Sequence, residues 1–297
     1  MTSRFLYLLI FLFGNNYVVL CQQSRLSDYP EILQSSFLNE NQAVKRLSTE
    51  EDADANFLNQ RYTNLLNDIS LVNFSGFLRV KTNHQLGLLA SSLKEGPYID
   101  KTRAYLHYAY TIKIIKNTAF SAGVSPGFLK IGLDEPGAGS KQAIAPDANF
   151  DILISHPNYF LSYILNQGLN AKLNSFYLNI YLTRYHEMRV GAKVPLGVYW
   201  HLKMQYHNLI YTDRQNQYGG ILQFDYDSKL SFGMGTYNFS TFLAQAKVAV
   251  YSQNGYVFAF FGSYKQLISK NQFNAFLNSW EVGINISKSS LKTVHEE

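Results

Sequence analysis

Apolar and polar residues alternate along most of this chain from Val72 onward. Between Arg103 and Ile114 one set of alternate positions reads Ala104, Leu106, Tyr108, Tyr110, Ile112 and Ile114. The other set reads Arg103, Tyr105, His107, Ala109, Thr111 and Lys113. A strand puts these two sets on opposite faces, whereas a helix would mix them. The same alternation runs through Ser175–Thr183, Thr241–Tyr251 and Ser279–Ser287. Weaker versions occupy 72–82, 85–92, 118–130, 159–166, 202–208, 220–227 and 256–264. Turn-forming residues lie between them, among them Asn83, Gly96-Pro97, Asn117, His156-Pro157-Asn158, Asp227-Ser228 and Asn254-Gly255.

Strand length then separates two architectures. Strands of soluble proteins run to about 5–6 residues, and strands that cross a bilayer need roughly 9–11. The best segments here belong to the longer class. The fold expected is all-β: an antiparallel transmembrane β-barrel over 72–287, with about 12–14 strands at roughly 15 residues per strand and turn. Closure has a physical cause, because hydrocarbon offers no partner to an unpaired backbone N–H or C=O. Leu106 and its neighbours would face lipid, and Arg103, His107 and Lys113 the lumen. Tyr108, Tyr110 and Trp280 suit interfacial girdles. A soluble secreted β-sandwich alternates in the same way and is the competing architecture. Residues 22–71 read as a lead-in or plug, acidic at Leu47–Asn56, with a helix favoured over coil for Ala55–Leu71. Gly132–Ala148, rich in Gly, Pro and Ala, reads as a surface loop, and 288–297 as a short polar tail.

Composition supports the membrane reading. Aromatic residues make up 15%, with 22 Tyr and 21 Phe against 2 Trp, while charged residues are only 16%. A Tyr ring can be apolar at one end and wet at the other, as a membrane interface requires. The mean hydropathy of −0.14 excludes a helical membrane bundle but not a barrel, whose strands are half polar. Residues 1–21 read as a cleavable signal peptide: Arg4 supplies the positive end and Phe5–Phe13 the apolar core, too short to span a bilayer. Cleavage after Cys21 leaves Gln22 as the mature end and lowers the formal charge of +5 by the one unit of Arg4. The rival reading, a lipid-bearing Cys21, is disfavoured by Leu20, where a small residue is wanted. With Cys21 the only cysteine, no internal disulfide is available. No run of five Lys or Arg points to nucleic acid.

No catalytic, cofactor-binding or metal-binding residue is expected. The His residues show no metal-ligand spacing, His186-Glu187 reads as a solvated turn, and His201 and His207 as polar residues on one strand face. Gly132–Lys141 has the glycines of a phosphate loop but Ala138 where its lysine belongs. Asp225 and Asp227 share a strand face and read as lumen or solvated charges.

Ordered motifs carry a family resemblance. His84, Gly87 and Leu88, the Gly96-Pro97 turn, and the strand with Tyr105, His107, Tyr108, Tyr110 and Ile112 come first. Ala119–Val124, Pro146-Asp147-Ala148-Asn149-Phe150 and Trp280–Ile284 follow. In this order and spacing the chain resembles the PorP/SprF family of outer-membrane proteins of the type IX secretion system. Two of that family's motifs are absent: Leu38–Ala43 and Asn59–Tyr62 stand where its N-P-A-x-A-G and R-x-Q-W occur. The resemblance implies a non-enzymatic barrel in the outer membrane of a Gram-negative bacterium. It implies a role in secretion or surface attachment of particular cargo proteins such as adhesins, with periplasmic secretion or gliding ring components as further partners. A transport barrel of the fatty-acid kind, with 22–70 as its plug, is the alternative.

Overall fold

The computed structural model describes residues 53–288 except 65–68, 82, 97–98, 116, 136–138, 175–178, 213–215, 239–240, 252–255 and 268–275. The expected signal peptide, Cys21, most of the lead-in and the tail beyond Lys288 lie outside the described residues.

The described chain is all strand and turn. In order the strands are β1 (Ala53–Asn64), β2 (Ile69–Lys81), β3 (His84–Glu95), β4 (Ile99–Ile115), β5 (Thr118–Glu135), β6 (Gly139–His156), β7 (Tyr159–Asn166) and β8 (Lys172–Asn174). Then come β9 (Asn179–Tyr181), β10 (Tyr185–Pro195), β11 (Trp200–Tyr211), β12 (Gln217–Tyr226), β13 (Leu230–Tyr237), β14 (Thr241–Tyr251), β15 (Tyr256–Leu267) and β16 (Phe276–Lys288). All but β8 and β9 form one closed barrel of 14 strands, each antiparallel to its neighbours, with β16 returning to pair β1. The barrel replaces the sandwich alternative: no described barrel strand is left with an edge.

Sidedness follows the sequence periodicity. On β4, Leu106 is 66% exposed on the outside and His107 is 2% exposed inside. Tyr108, Tyr110, Ile112 and Ile114 share the outer face with Leu106, while Arg103, Tyr105 and Thr111 are buried on the inner one. Lys113 has inward parity but lies exposed near the rim, below the buried part of the wall. Asn117, Asp227 and Ser228 have positive φ, and each belongs to a tight turn at the same end of the barrel. The chain enters at Ala53 and leaves at Lys288 at this end. The long connection from β7 to β10, whose described residues include 167–174 and 179–184, lies at the other end. Short turns face the periplasm in outer-membrane barrels, which places Ala53 and Lys288 on the periplasmic side. Outward Tyr159, Trp200, Tyr226 and Tyr256 form the girdle there; Tyr264 and Trp280, with Arg61 5.8 Å over the indole, stand towards the outer rim.

Three expectations need correction. The barrel begins at Ala53 rather than Val72, and the helix favoured over 55–71 is instead β1 and the start of β2. The reason is closure: β1 supplies the partner for both β2 and β16, with Phe57 outward and Leu58 fully buried inward. The loop expected over Gly132–Ala148 is the tip of a long hairpin, because Ala143, Ala145 and Asp147 alternate inward on β6 while Ile144 faces out. Ser175–Thr183 is not a spanning strand. Its described part is β9, which pairs only with β8 in a separate two-stranded sheet, while β7 pairs directly with β10.

Candidate functional site

The candidate site is the lumen wall, where polar side chains are concentrated and buried. Along β4, Lys101, Arg103, Tyr105, His107, Ala109 and Thr111 are between 1% and 8% exposed. Buried polar groups need partners, and neighbouring strands supply them. The Tyr105 hydroxyl donates to Asp147 Oδ2 at 2.7 Å, and the backbone N–H of Ala148 donates to Asp147 Oδ1 at 2.8 Å. His107 Nδ1 lies 2.8 Å from Ser125 Oγ and 3.6 Å from Asp151 Oδ2. Thr111 and Ser121 join their hydroxyls at 2.7 Å. The edge of the His107 ring meets Phe77. Removing one partner leaves the other dry, so Tyr105→Phe is expected to lower stability by about 1–3 kcal/mol in urea unfolding of the refolded barrel. Replacing Asp147 by Asn in the same background recovers part of that loss.

The opposite wall is ionic. Glu187 of β10 pairs with Arg189 on the same strand, and Asn166 Nδ2 approaches Glu187 Oε2 at 3.5 Å. His207 of β11 stands opposite Arg189 across the ladder and is 3% exposed. Lys203 Nζ meets Asp225 Oδ2 at 2.6 Å, and Gln223 Nε2 donates to Asp225 Oδ1 at 2.6 Å. Glu281 on β16 and Lys265 on the neighbouring β15 both face inward, at 1% and 7% exposure.

The outer end of the lumen is apolar. Leu129 and Ile131 of β5 cluster with Ala143 and Ala145 of β6, and Leu182 and Ala171 from connection 167–184 fold onto them. The connection is held at its root: Gly168 N–H donates to the Ala148 carbonyl and Gln167 N–H to Asn149 Oδ1. The Pro146–Phe150 motif thus has three structural tasks. Asp147 receives Tyr105, Asn149 and Ala148 anchor the connection, and Phe150 faces lipid.

The residues weighed in the sequence are dispersed. His186 and Glu187 are not in a turn: both lie on β10, on opposite faces. His186 sits outward with Nδ1 2.6 Å from the Tyr163 hydroxyl, while Glu187 is buried inside. His201 and His207 share the inward face of β11 as their spacing requires. Asp225 belongs to the lumen, but Asp227 sits in the following turn with φ of 47°, bonded to Lys229 Nζ at 2.5 Å. That bond and the carboxylate charge raise the Lys229 pKa above the ordinary lysine value. The described residues of Gly132–Lys141 lie on strands β5 and β6 rather than at a strand-to-helix switch. Among the described residues no group of three His, Cys, Asp or Glu is arranged to hold a metal ion.

Known structures share this architecture at low sequence identity. The CymD monoaromatic hydrocarbon channel aligns with a TM-score of 0.50 at 11% identity, over 84% of this chain and 91% of that one. The TodX deltaS2S3 mutant monoaromatic hydrocarbon channel aligns with a TM-score of 0.51 at 8% identity, over 80% and 89%. At such identities the likeness is one of fold. Comparison with curated proteins returns no match. The family model for the type IX secretion system membrane protein PorP/SprF matches residues 62–288, from within β1 to the last residue of β16. With the closed barrel and its ordered motifs, that match establishes that the chain belongs to the PorP/SprF family of type IX secretion membrane proteins.

Proposed function

We propose that this outer-membrane barrel assists the secretion or surface attachment of one or a few type IX cargo proteins, adhesin-like in kind. On this reading residues 1–21 export the chain, and periplasmic secretion or gliding ring components are its partners on the inner side. The observation that carries the reading is the family match over nearly the whole barrel. Family and structural neighbours are secretion and transport barrels rather than enzymes.

The buried lumen supports secretion over transport of apolar solutes. A fatty acid or hydrocarbon passing the wall would displace the polar surroundings of Arg103, Asp151, Lys265 and Glu281, and desolvated charge is costly. The test compares the surface proteome of cells with and without the chain. The expected result is loss of one or a few surface proteins while other type IX secretion continues. An unchanged surface proteome, together with loss of apolar solute uptake, would favour the transport reading.

A further inference from the structure

The geometry points to a binding site for an anionic phospholipid on the outer face of the barrel seam, at the periplasmic rim. This inference rests on membrane placement and is independent of the cargo. The register shows how the site is built. Across β15, β16, β1, β2 and β3, one outward row runs Phe258, Ile286, Ala55, Gly76 and Leu88. The row nearer the rim runs Tyr256, Lys288, Ala53, Leu78 and Leu86. Large side chains thus flank a floor of Ala53, Ala55 and Gly76.

The next row inward carries Phe57 opposite Phe74 and closes the recess towards the bilayer centre. The recess holds about 500 Å³ and opens to the rim, where the Lys288 Nζ sits 5.4 Å over the Tyr256 ring. A void facing hydrocarbon is filled by acyl chain, because nothing else in the bilayer core wets an alanine and glycine floor. A lipid seated there brings its phosphate to the level of Lys288. The lysine, held at the interface by the Tyr256 ring, then supplies the opposite charge. Leu78, Leu86 and Leu88 on one side and Phe258 and Ile286 on the other stand proud of this floor.

Native mass spectrometry of the full chain in mild detergent tests the site, with dioleoyl phosphatidylglycerol and dioleoyl phosphatidylcholine added separately. The wild type is expected to retain one phosphatidylglycerol in preference to phosphatidylcholine. Lys288→Gln lowers phosphatidylglycerol retention by about fivefold, the ratio expected for one lysine near an anionic surface, and leaves phosphatidylcholine unchanged. Ala55→Phe fills the recess and removes retention of both lipids. Ala53→Leu serves in its place if the phenylalanine variant fails the heat-modifiable gel shift that reports folding. Equal retention of the two lipids by the wild type, or undiminished retention by a folded filling variant, overturns the proposal. Either result leaves the secretion reading standing.

Discussion

Leu106→Arg is expected to destabilise the folded barrel by about 2–4 kcal/mol and to move much of the protein out of the heat-modifiable band on a gel. Leu106 projects outward from the middle of β4 and is the most exposed of the large outward side chains on that strand's spanning part, at 66%. It is flanked on the same face by Leu88 across the ladder. In water such exposure of a leucine would be unremarkable; in a bilayer the side chain is solvated by acyl chains. An arginine there has no short route to either headgroup layer, so its guanidinium must be dragged into hydrocarbon or must thin the membrane locally. The control is Leu106→Ala, which keeps an apolar face and is expected to retain the heat-modifiable shift. If Leu106→Arg folds as well as the alanine variant in vesicles, this wall does not face lipid.

Lys203→Met is expected to cost about 3 kcal/mol in urea unfolding, at the low end for a broken buried pair. The lysine keeps 21% of its side chain exposed, whereas Asp225 keeps only 7%. Without the ammonium at 2.6 Å, the carboxylate retains the Gln223 amide as a hydrogen-bond donor but loses the charge that offsets its desolvation. Adding Asp225→Asn removes the stranded charge, so the double variant is expected to recover most of the loss. A coupling near zero in the double-mutant cycle would show that Asp225 draws its stabilisation from elsewhere on the wall.

Legibility in the sequence followed the contrast between the two faces of each strand. β4 and β14 were plain, because their outward positions carry large apolar residues. The alternation over 159–166 coincides with β7. β1 was obscured because its outward face includes Ala53, Ala55 and Asn59. β13 is hidden in the sequence because Gly233 and Gly235 alternate with Phe232 and Met234, diluting the pattern with turn-like residues. β6 resembles a connection in sequence because of Pro146 and its alanines. Their meaning appears only when Ala143 and Ala145 are seen to receive Leu182. Ser175–Thr183 alternates as well as many true spanning strands and is not one, since alternation marks a two-sided strand but not which sheet it joins.

The candidate site shows the same division. Inward parity of Arg103, His107, His207 and Asp225 could be read from spacing alone. The pairings of His107 with Ser125, Tyr105 with Asp147 and Lys203 with Asp225 could not, because each joins different strands in a register that no local pattern encodes.

The amino-acid sequence by itself determined that this chain makes long two-faced strands, greasy on one side and polar on the other, and that backbone hydrogen bonding in a membrane requires them to close. The tertiary structure alone decided where the cylinder is sealed. Ala53 meets Lys288 from the far end of the chain, and their pairing leaves small residues at the seam. Alternation is a local property of the backbone, whereas closure is a global condition on every strand at once.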